Sequence, residues 1–149
     1  MDDHLIMEPA SKFDAYVAYD DKDLNWVVDE LLPIVEGQFG LTLYIWEKYA
    51  LGGIPISENI VDAIDRCRKT ILVITPAFVN NEWREFEMQM GLGKGHKDLV
   101  IIYKEEVEVK NMSRTLRSLM ANFDPLDYEN TVKRHFWDKL KDRLKRTDD

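Results

Sequence analysis

The sequence predicts a doubly wound α/β domain, in which a mostly parallel sheet is covered by helices on both faces. Two observations lead to this prediction. Short runs rich in β-branched and aromatic residues alternate along the chain with stretches whose apolar residues recur at helical spacing. The strand-like runs are also nearly continuous in apolar residues, as is typical of strands buried on both faces. Right-handed crossovers between parallel strands place the intervening helices on the two faces of the sheet.

Four strands are predicted from these runs: FDAYVAY (13–19), LTLYIW (41–46), TILVITP (70–76) and DLVIIY (98–103). A fifth strand is expected within residues 116–128. Pro125 confines that strand to an edge or to a short length, because proline cannot donate a hydrogen bond to a sheet. At 149 residues, the chain is long enough to bury one core without disulfides or metals.

Helices are predicted between the strands from apolar residues at helical spacing. Their apolar faces are Val28, Leu31, Leu32 and Val35 in the first helix, Ile60, Ala63, Ile64 and Cys67 in the second, and Trp83, Phe86 and Met90 in the third. A last helix is expected over residues 130 to 145, with Val132, Phe136, Leu140 and Leu144 four residues apart and Asn130 or Thr131 as its cap. Ser57 is predicted to cap the second helix, because its hydroxyl can accept a hydrogen bond from an early backbone N–H.

Composition excludes several functional classes. The chain has 28 acidic residues against 20 Lys and Arg, and its net charge of −8 repels nucleic acid. Cys67 is the single cysteine and lacks partners at metal-ligand spacing, so a cytosolic protein without zinc is expected. No run approaches the ~20 apolar residues that span a bilayer, and the N-terminus lacks a signal-peptide pattern. A cytoplasmic domain cut from a larger membrane protein would have the same features.

Acidic residues follow the first strand at Asp20, Asp21 and Asp23, and such a cluster can hold Mg²⁺ for phosphotransfer. That chemistry also requires a phosphate-accepting aspartate at the end of the third strand, where this chain has Thr75 and Pro76. The alternative is a solvated turn in which Asp23 caps the next helix. Nucleophile-elbow, Walker and dinucleotide-binding motifs do not occur in the sequence, and no metal or cofactor is expected.

The loop at residues 47–56 is the main candidate for a binding surface. It follows the second strand at the carboxyl edge of the sheet, where functional loops of α/β proteins collect. Gly52 and Gly53 give its backbone freedom that other residues lack. Three apolar side chains stand where water is expected: Tyr49, Leu51 and Ile54. They either fold back onto the core or form a surface for a partner.

Three stretches together resemble the Toll/interleukin-1 receptor (TIR) domain. FDAYVAY, which contains Phe13 and Asp14, is similar to the box 1 strand, the loop after LTLYIW occupies box 2, and Phe136-Trp137 is similar to box 3. Residues 66–88 resemble the third strand and the following helix of the family. The resemblance implies a flavodoxin-like three-layer sandwich with a five-stranded parallel sheet. It assigns residues 12–146 to the TIR domain, 1–11 to an N-terminal extension and 147–149 to a C-terminal tail.

The resemblance also identifies the loop as the BB loop, through which TIR domains bind one another. The residues that it implies in such contacts are Lys48, Tyr49, Leu51, Gly52, Gly53, Ile54 and Pro55. The family usually carries Arg-Asp and then Pro-Gly, where this chain has Lys48-Tyr49 and Gly52-Gly53, and glycine in place of proline raises the entropy that docking must remove.

The function implied by the resemblance is innate-immune-type signalling by self-association and by recruitment of a TIR-containing adaptor of the myeloid differentiation type. The "WVVDELLP" helix and the Phe136-Trp137 pair are more similar to Toll-type receptor tails than to bacterial TIR proteins. We therefore expect the cytoplasmic tail of a single-pass receptor at the plasma membrane, with the transmembrane segment outside this chain.

Some TIR domains cleave NAD, including domains of plants and bacteria and domains that act in axon degeneration. They use a glutamate on the helix after the third strand. Glu87 matches that position, and Glu85 is expected to face differently on the helix. A carboxylate there can stabilise the positive charge that develops on the ribose as nicotinamide leaves. Receptor-type TIR domains also carry a glutamate at this point, where it makes structural hydrogen bonds. NAD nucleosidase activity is therefore the alternative prediction, with NAD as substrate rather than cofactor.

Overall fold

A computed structural model describes residues 12–93 and 99–147, and these form a five-stranded parallel sheet with helices on both faces. The strands are β1 (Phe13–Ala18), β2 (Leu43–Tyr44), β3 (Cys67–Ile74), β4 (Leu99–Tyr103) and β5 (Leu126–Asp127). Their order across the sheet is β2-β1-β3-β4-β5, and each neighbouring pair is parallel. The predicted flavodoxin-like fold is confirmed. The predicted N-terminal extension, residues 1–11, lies outside the described residues.

Six α-helices connect and cover the described strands. They are α1 (Leu24–Trp26), α2 (Trp46–Tyr49), α3 (Ile56–Asp65), α4 (Glu82–Gly93), α5 (Arg114–Asn122) and α6 (Lys133–Lys145). π-helical turns extend α1 over Val27–Leu31 and Pro33–Gln38, and 3-10 turns form at Asp21–Asp23, Phe78–Asn80 and Val109–Asn111. Within the described residues, every helix is too short or too polar to cross a membrane.

Two apolar layers sandwich the sheet, because successive strand residues point to opposite faces. In β1, Ala15 and Val17 pack in the layer that contains α1 and α6, whereas Tyr16 and Ala18 pack in the layer that contains α3, α4 and α5. Six consecutive residues of β3, from 69 to 74, are buried. This pattern explains the nearly continuous apolar strands of the sequence, since both faces of the sheet are covered.

The apolar face predicted for the first helix is partly wrong. Val27, Leu31 and Val35 are buried at four-residue intervals, whereas Val28 is 39% exposed. The π-helical turns account for the difference, because they hold more residues per turn than an α-helix. Residues chosen at α-helical spacing therefore do not all lie on the buried face of this helix.

Several predicted boundaries also differ from the structure. Cys67 is buried as predicted, but it begins β3 rather than ending a helix. β2 is only two residues long, because the chain turns into α2 at Trp46. Ser57 is not the cap of α3, which begins one residue earlier with Pro55 at the cap position. In the last helix Val132 is the cap residue and is 65% exposed, so it does not belong to the buried stripe.

The two aromatic residues predicted as a structural pair on the last helix lie in or against the core. Phe136 is 1% exposed, and its ring meets those of Tyr128 and Trp137 edge-on at centroid distances of 5.0 and 4.9 Å. Trp137 is partly buried and stacks on Trp26 at 6.3 Å. This aromatic cluster fastens α6 to α1 and to the segment after β5, and so closes one face of the sheet.

Replacing Phe136 by alanine should destabilise the fold by ~3–5 kcal/mol, because the change leaves a cavity in a fully buried aromatic cluster. Denaturant unfolding monitored by circular dichroism measures the loss. The neighbouring His135 is exposed on the same helix, so His135→Ala is the matched control and should change stability by less than about 0.5 kcal/mol. Equal unfolding free energies for Phe136→Ala and the wild type would contradict this packing.

Candidate functional site

The loop between β2 and α3 is shorter than predicted, because its first residues fold into α2. Residues 50–55 remain irregular, and we call residues 51–54 the loop tip. Gly53 has a φ of +80°, a backbone conformation that side chains rarely adopt, so glycine is required there. Pro55 ends the loop at the cap position of α3. The predicted loop residues are thus held between two helices.

Tyr49 belongs to the base of the loop rather than to its exposed tip. Its ring packs edge-on against Phe13 at 4.9 Å and lies 5.5 Å from the ring of Tyr44. Lys48 is exposed and lies over the outer side of the Tyr49 ring at 5.3 Å. Of the two alternatives left open by the sequence, folding back onto the core holds for Tyr49.

Leu51 and Ile54 follow the other alternative, because they remain exposed on the loop tip. Their side chains are 61% and 38% accessible to solvent. Ile56 at the start of α3 is 44% exposed and Trp83 on α4 is 37% exposed. These four residues, which we call the apolar rim, place large hydrophobic groups on α3, α4 and the loop between β2 and α3.

One polar side chain ties the loop tip to α3. Asn59 is 8% exposed, and its Nδ2 donates to the carbonyl oxygens of Leu51 at 2.9 Å and Ile54 at 3.4 Å. Its Oδ1 accepts from the backbone N–H of Leu51 at 3.3 Å. The same amide therefore holds both ends of the tip.

Glu87 lies on the inner face of α4 and is 2% exposed. The hydroxyl of Tyr16, on β1, donates to its Oε2, and the Arg84 Nε forms an ion pair with its Oε1 at 2.5 Å. Burial raises the pKa of Glu87, although Arg84 and the Tyr16 hydrogen bond both act to lower it. Burial and the adjacent Glu87 carboxylate raise the pKa of Tyr16 well above 10. Oε2 is thus hydrogen-bonded to Tyr16, whereas Oε1 contacts Arg84 as an ion pair without hydrogen-bond geometry.

A cleft of about 190 Å³ lies between the end of β1, α3 and α4. Glu87 and Arg84 line it together with Trp46, Ile56 and Trp83, so two of the four residues of the apolar rim belong to its wall. Glu85, two residues before Glu87, lines a different groove beside Ser113, as its predicted orientation requires. Glu87 is therefore the one of the two glutamates that belongs to this cleft.

The acidic cluster after β1 forms a turn that is exposed at Asp21, but the Asp23 side chain does not take its predicted cap role. Asp20 rather than Asp23 caps the following turn, by accepting from the Lys22 N–H at 3.0 Å. Asp23 is 7% exposed and accepts from the Thr75 hydroxyl at 2.7 Å and from Lys104 Nζ at 3.3 Å. The prediction that Asp23 caps the helix is wrong, because Thr75 and Lys104 draw its carboxylate into the carboxyl edge of the sheet.

The two box 1 residues, Phe13 and Asp14, contact the neighbouring strand β2 and the base of the loop. Asp14 accepts from the Thr42 backbone N–H at 2.8 Å and forms an ion pair with Arg68 at 3.7 Å. The Phe13 ring meets Tyr44 edge-on at 5.4 Å, in addition to its contact with Tyr49. Both side chains therefore support the start of β2 and the base of the loop.

Sequence reasoning missed Asn59, Ile56 and Trp83 as residues of this site. A polar side chain on a helix usually faces water, and nothing local distinguishes Asn59 from such a residue. The sequence predicts Ile56 as the last residue of the loop and Trp83 as part of the apolar stripe of a helix, so neither residue is expected on an exposed apolar surface. Their exposure on a common rim depends on how α3 and α4 pack together.

Comparison with known proteins finds one matching domain family and several longer relatives. The family model of the TIR domain matches residues 12–137. The chain is 30% identical to Toll-like receptor 1 of Homo sapiens over 139 residues, which cover 87% of this chain and 18% of the receptor. It is also 30% identical to Protein toll of Drosophila melanogaster over 141 residues, which cover 91% of this chain and 13% of that protein. The chain therefore spans less than a fifth of the length of these relatives.

The fold is also similar to that of a solved structure, the TIR domain of the Toll-related receptor TRR-2 from Hydra magnipapillata. The TM-score is 0.78 at 24% sequence identity, and the match covers 91% of this chain and 100% of that one. At this identity the similarity shows the common fold.

Replacing Glu87 by glutamine should make the protein more stable relative to the wild type as pH rises. The folded-state pKa of Glu87 is raised above its ordinary value of 4.5, so the folded protein binds this proton more tightly than the unfolded chain does. The wild type therefore loses stability as pH rises from 4.5 through the raised pKa, whereas glutamine does not titrate and still accepts from Tyr16. Thermal midpoints of both proteins at about pH 5 and pH 7.5 measure the effect. A pH-independent difference between the midpoints would contradict it.

Proposed function

The chain belongs to the TIR domain family, and we propose that it transmits receptor activation in innate-immune-type signalling by binding other TIR domains through the loop tip. Its partners in this proposal are further copies of the same chain and a TIR-containing adaptor of the myeloid differentiation type. The chain is then the cytoplasmic tail of a single-pass receptor at the plasma membrane, with the transmembrane segment outside this sequence. Its similarity to Toll-like receptor 1 and Protein toll supports that setting.

The observation that carries the proposal is the exposure of Leu51 and Ile54 on an ordered loop. Leu51 keeps 61% of its surface in water and therefore contributes little to the fold, and Ile54 keeps 38% of its surface in water. Covering them with a partner would release that surface from water. The apolar rim extends the same surface to Ile56 and Trp83, which gives a partner a patch rather than isolated side chains.

The proposed contact is weak for a single pair of domains. The apolar rim has four partly exposed side chains, and association must offset the loss of translational and rotational freedom. Holding neighbouring tails at a receptor dimer raises their effective concentration and makes the second contact intramolecular. Assembly would then follow receptor clustering, which is the behaviour that a signalling tail requires.

NAD nucleosidase activity is the second candidate, because Glu87 lines a cleft that also contains Trp46 and Trp83. Two features favour binding over catalysis. The Glu87 carboxylate is 2% exposed and contacts Tyr16 and Arg84, so very little of its surface is open to the ribose of a substrate. The cleft, at about 190 Å³, is also smaller than the ~300–1,000 Å³ typical of small-molecule sites.

Replacing Leu51 or Ile54 by aspartate should abolish partner binding without unfolding the domain, because both side chains are exposed and a charge opposes burial in an interface. Thermal midpoints should stay within about 3 °C of the wild type. Affinity for immobilised wild-type domain, measured by biolayer interferometry, should fall at least tenfold.

Val109 provides the matched control for Leu51, since it is 64% exposed on a 3-10 turn beyond β4. Val109→Asp should leave both the midpoint and the affinity unchanged. Unfolding of the Leu51 and Ile54 variants would assign these side chains to the fold, and equal binding by Leu51→Asp and Val109→Asp would contradict the loop-tip interface.

The domain should not release nicotinamide from NAD, even when it is concentrated or clustered on vesicles, because Glu87 is engaged within the fold. Chromatography of the reaction mixture for free nicotinamide measures this outcome. Clustering is included because the TIR enzymes that this chain resembles form composite active sites between neighbouring domains. Nicotinamide release that is lost in Glu87→Gln, with the thermal midpoint retained, would overturn the binding-only proposal in favour of NAD cleavage.

A further inference from the structure

The side chain of Asn59 closes a ring of hydrogen bonds across the loop tip. Its Nδ2 reaches the carbonyl oxygens of Leu51 and Ile54, at the two ends of the tip, and its Oδ1 receives the Leu51 N–H. No other side chain in the described residues forms a hydrogen bond with the backbone of residues 51–54. Asn59 lies within α3, so the anchor itself belongs to a regular helix.

The loop tip has little else to fix its shape. Gly52 and Gly53 have no side chains, and a Cβ added at either position would meet no atom within 4 Å. Leu51 is largely solvent-exposed and cannot hold the tip by packing. A Gly-Gly segment also loses more conformational entropy on ordering than other residues do. Apart from the partial packing of Ile54, which is 38% exposed, the tip is fixed by its hydrogen bonds with the Asn59 amide.

We propose that Asn59 is a positioning residue for partner recognition, which orders the loop tip before a second copy of this chain docks on it. This inference rests on the proposed function. If the tip is ordered in the free domain, docking does not have to remove that disorder, and affinity rises without a new contact to the partner. The Asn59 side chain itself stays buried beneath the tip and presents Leu51 and Ile54 outward.

The chain offers a matched pair of asparagines for the test. Asn122 on α5 also donates its Nδ2 to a backbone carbonyl, that of Ser118 at 2.8 Å, but it is exposed and far along the chain from the loop. Asn59→Ala removes all three bonds to the tip, and alanine favours the helix. Asn122→Ala removes a comparable amide bond elsewhere.

Amide hydrogen exchange is the first readout, because it reports on loop order without any partner. In Asn59→Ala, exchange at Leu51 should become about tenfold faster, while the amides of residues 60–64 in α3 stay as protected as in the wild type. Asn122→Ala should leave Leu51 unchanged. Asn59→Asp keeps the side-chain size and the acceptor for Leu51 but sets a carboxylate oxygen against the carbonyl oxygens of Leu51 and Ile54, so exchange at Leu51 should also become faster.

Affinity for immobilised wild-type domain is the second readout. It should fall about tenfold in Asn59→Ala and stay unchanged in Asn122→Ala. Gly52→Ala provides a rescue, because Gly52 lies outside the left-handed region and has open space for a Cβ. It limits the conformations of a loosened tip, so Gly52→Ala should slow amide exchange at Leu51 about two- to fivefold in the Asn59→Ala background.

The outcomes separate this inference from the proposed function. If the wild-type domain binds no second copy even on a densely loaded surface, self-association through the loop tip fails, and Leu51 exchange still decides whether Asn59 orders the tip. If wild type binds and Asn59→Ala binds equally well despite faster exchange at Leu51, positioning by Asn59 is overturned. Unfolding of both Asn59→Ala and Asn59→Asp would also overturn it, because Asn59 would then support the fold rather than the loop.

Discussion

Burial of β3 on both faces is the constraint on which the rest of the structure depends. A run of six buried residues leaves its backbone amides and carbonyls without water, so they must pair with strands on both sides. β1 and β4 provide that pairing, and helices cover both faces because the strand is apolar on each. The carboxyl ends of the strands consequently collect on one edge. Asp23, Thr75 and Lys104 meet at that edge, and the loop after β2 leaves the sheet there.

Charged groups inside this fold are used to hold elements together. Asp23 binds Lys104, whose pKa is raised because Glu105 and Asp23 outweigh the burial that favours its neutral form. Glu87 likewise joins α4 to β1 through Tyr16. Burial of a charge is costly unless its partners are well placed. Each of these carboxylates is therefore committed to neighbours within the domain, which leaves little unengaged chemistry at the carboxyl edge.

Exposed apolar side chains on the surface of the domain contrast with these buried charged groups. Leu51 and Ile54 contribute little to the fold and are presented on a loop that is fixed at its base by aromatic packing of Tyr49 and at its tip by Asn59. A rigid scaffold that presents exposed apolar groups is suited to recognition. Leu51 and Ile54 do not line the cleft that contains Glu87, so they do not help to enclose a small substrate there.

The sequence by itself determined the architecture of this protein and much of its secondary structure. Four strands, the short edge strand after Pro125 and the buried position of Phe136 all follow from apolar periodicity and residue type, which act over a few neighbouring residues. The resemblance of residues 13–19, 66–88 and 136–137 to the TIR family also identified the loop and Glu87 as candidate functional residues.

Only the tertiary structure decided which polar and aromatic side chains meet. Glu87 and Tyr16 are 71 residues apart, and Asp23 and Lys104 are 81 apart. Asn59 is a helix residue whose partners lie in a loop, and Tyr49 turns inward while Leu51 stays exposed. No periodicity marks such pairs, because each depends on where separate elements pack. The π-helical turns of the first helix were also not predicted from the sequence. An apolar stripe is predicted by assuming the number of residues per turn of an α-helix, and π-helical turns have a different number.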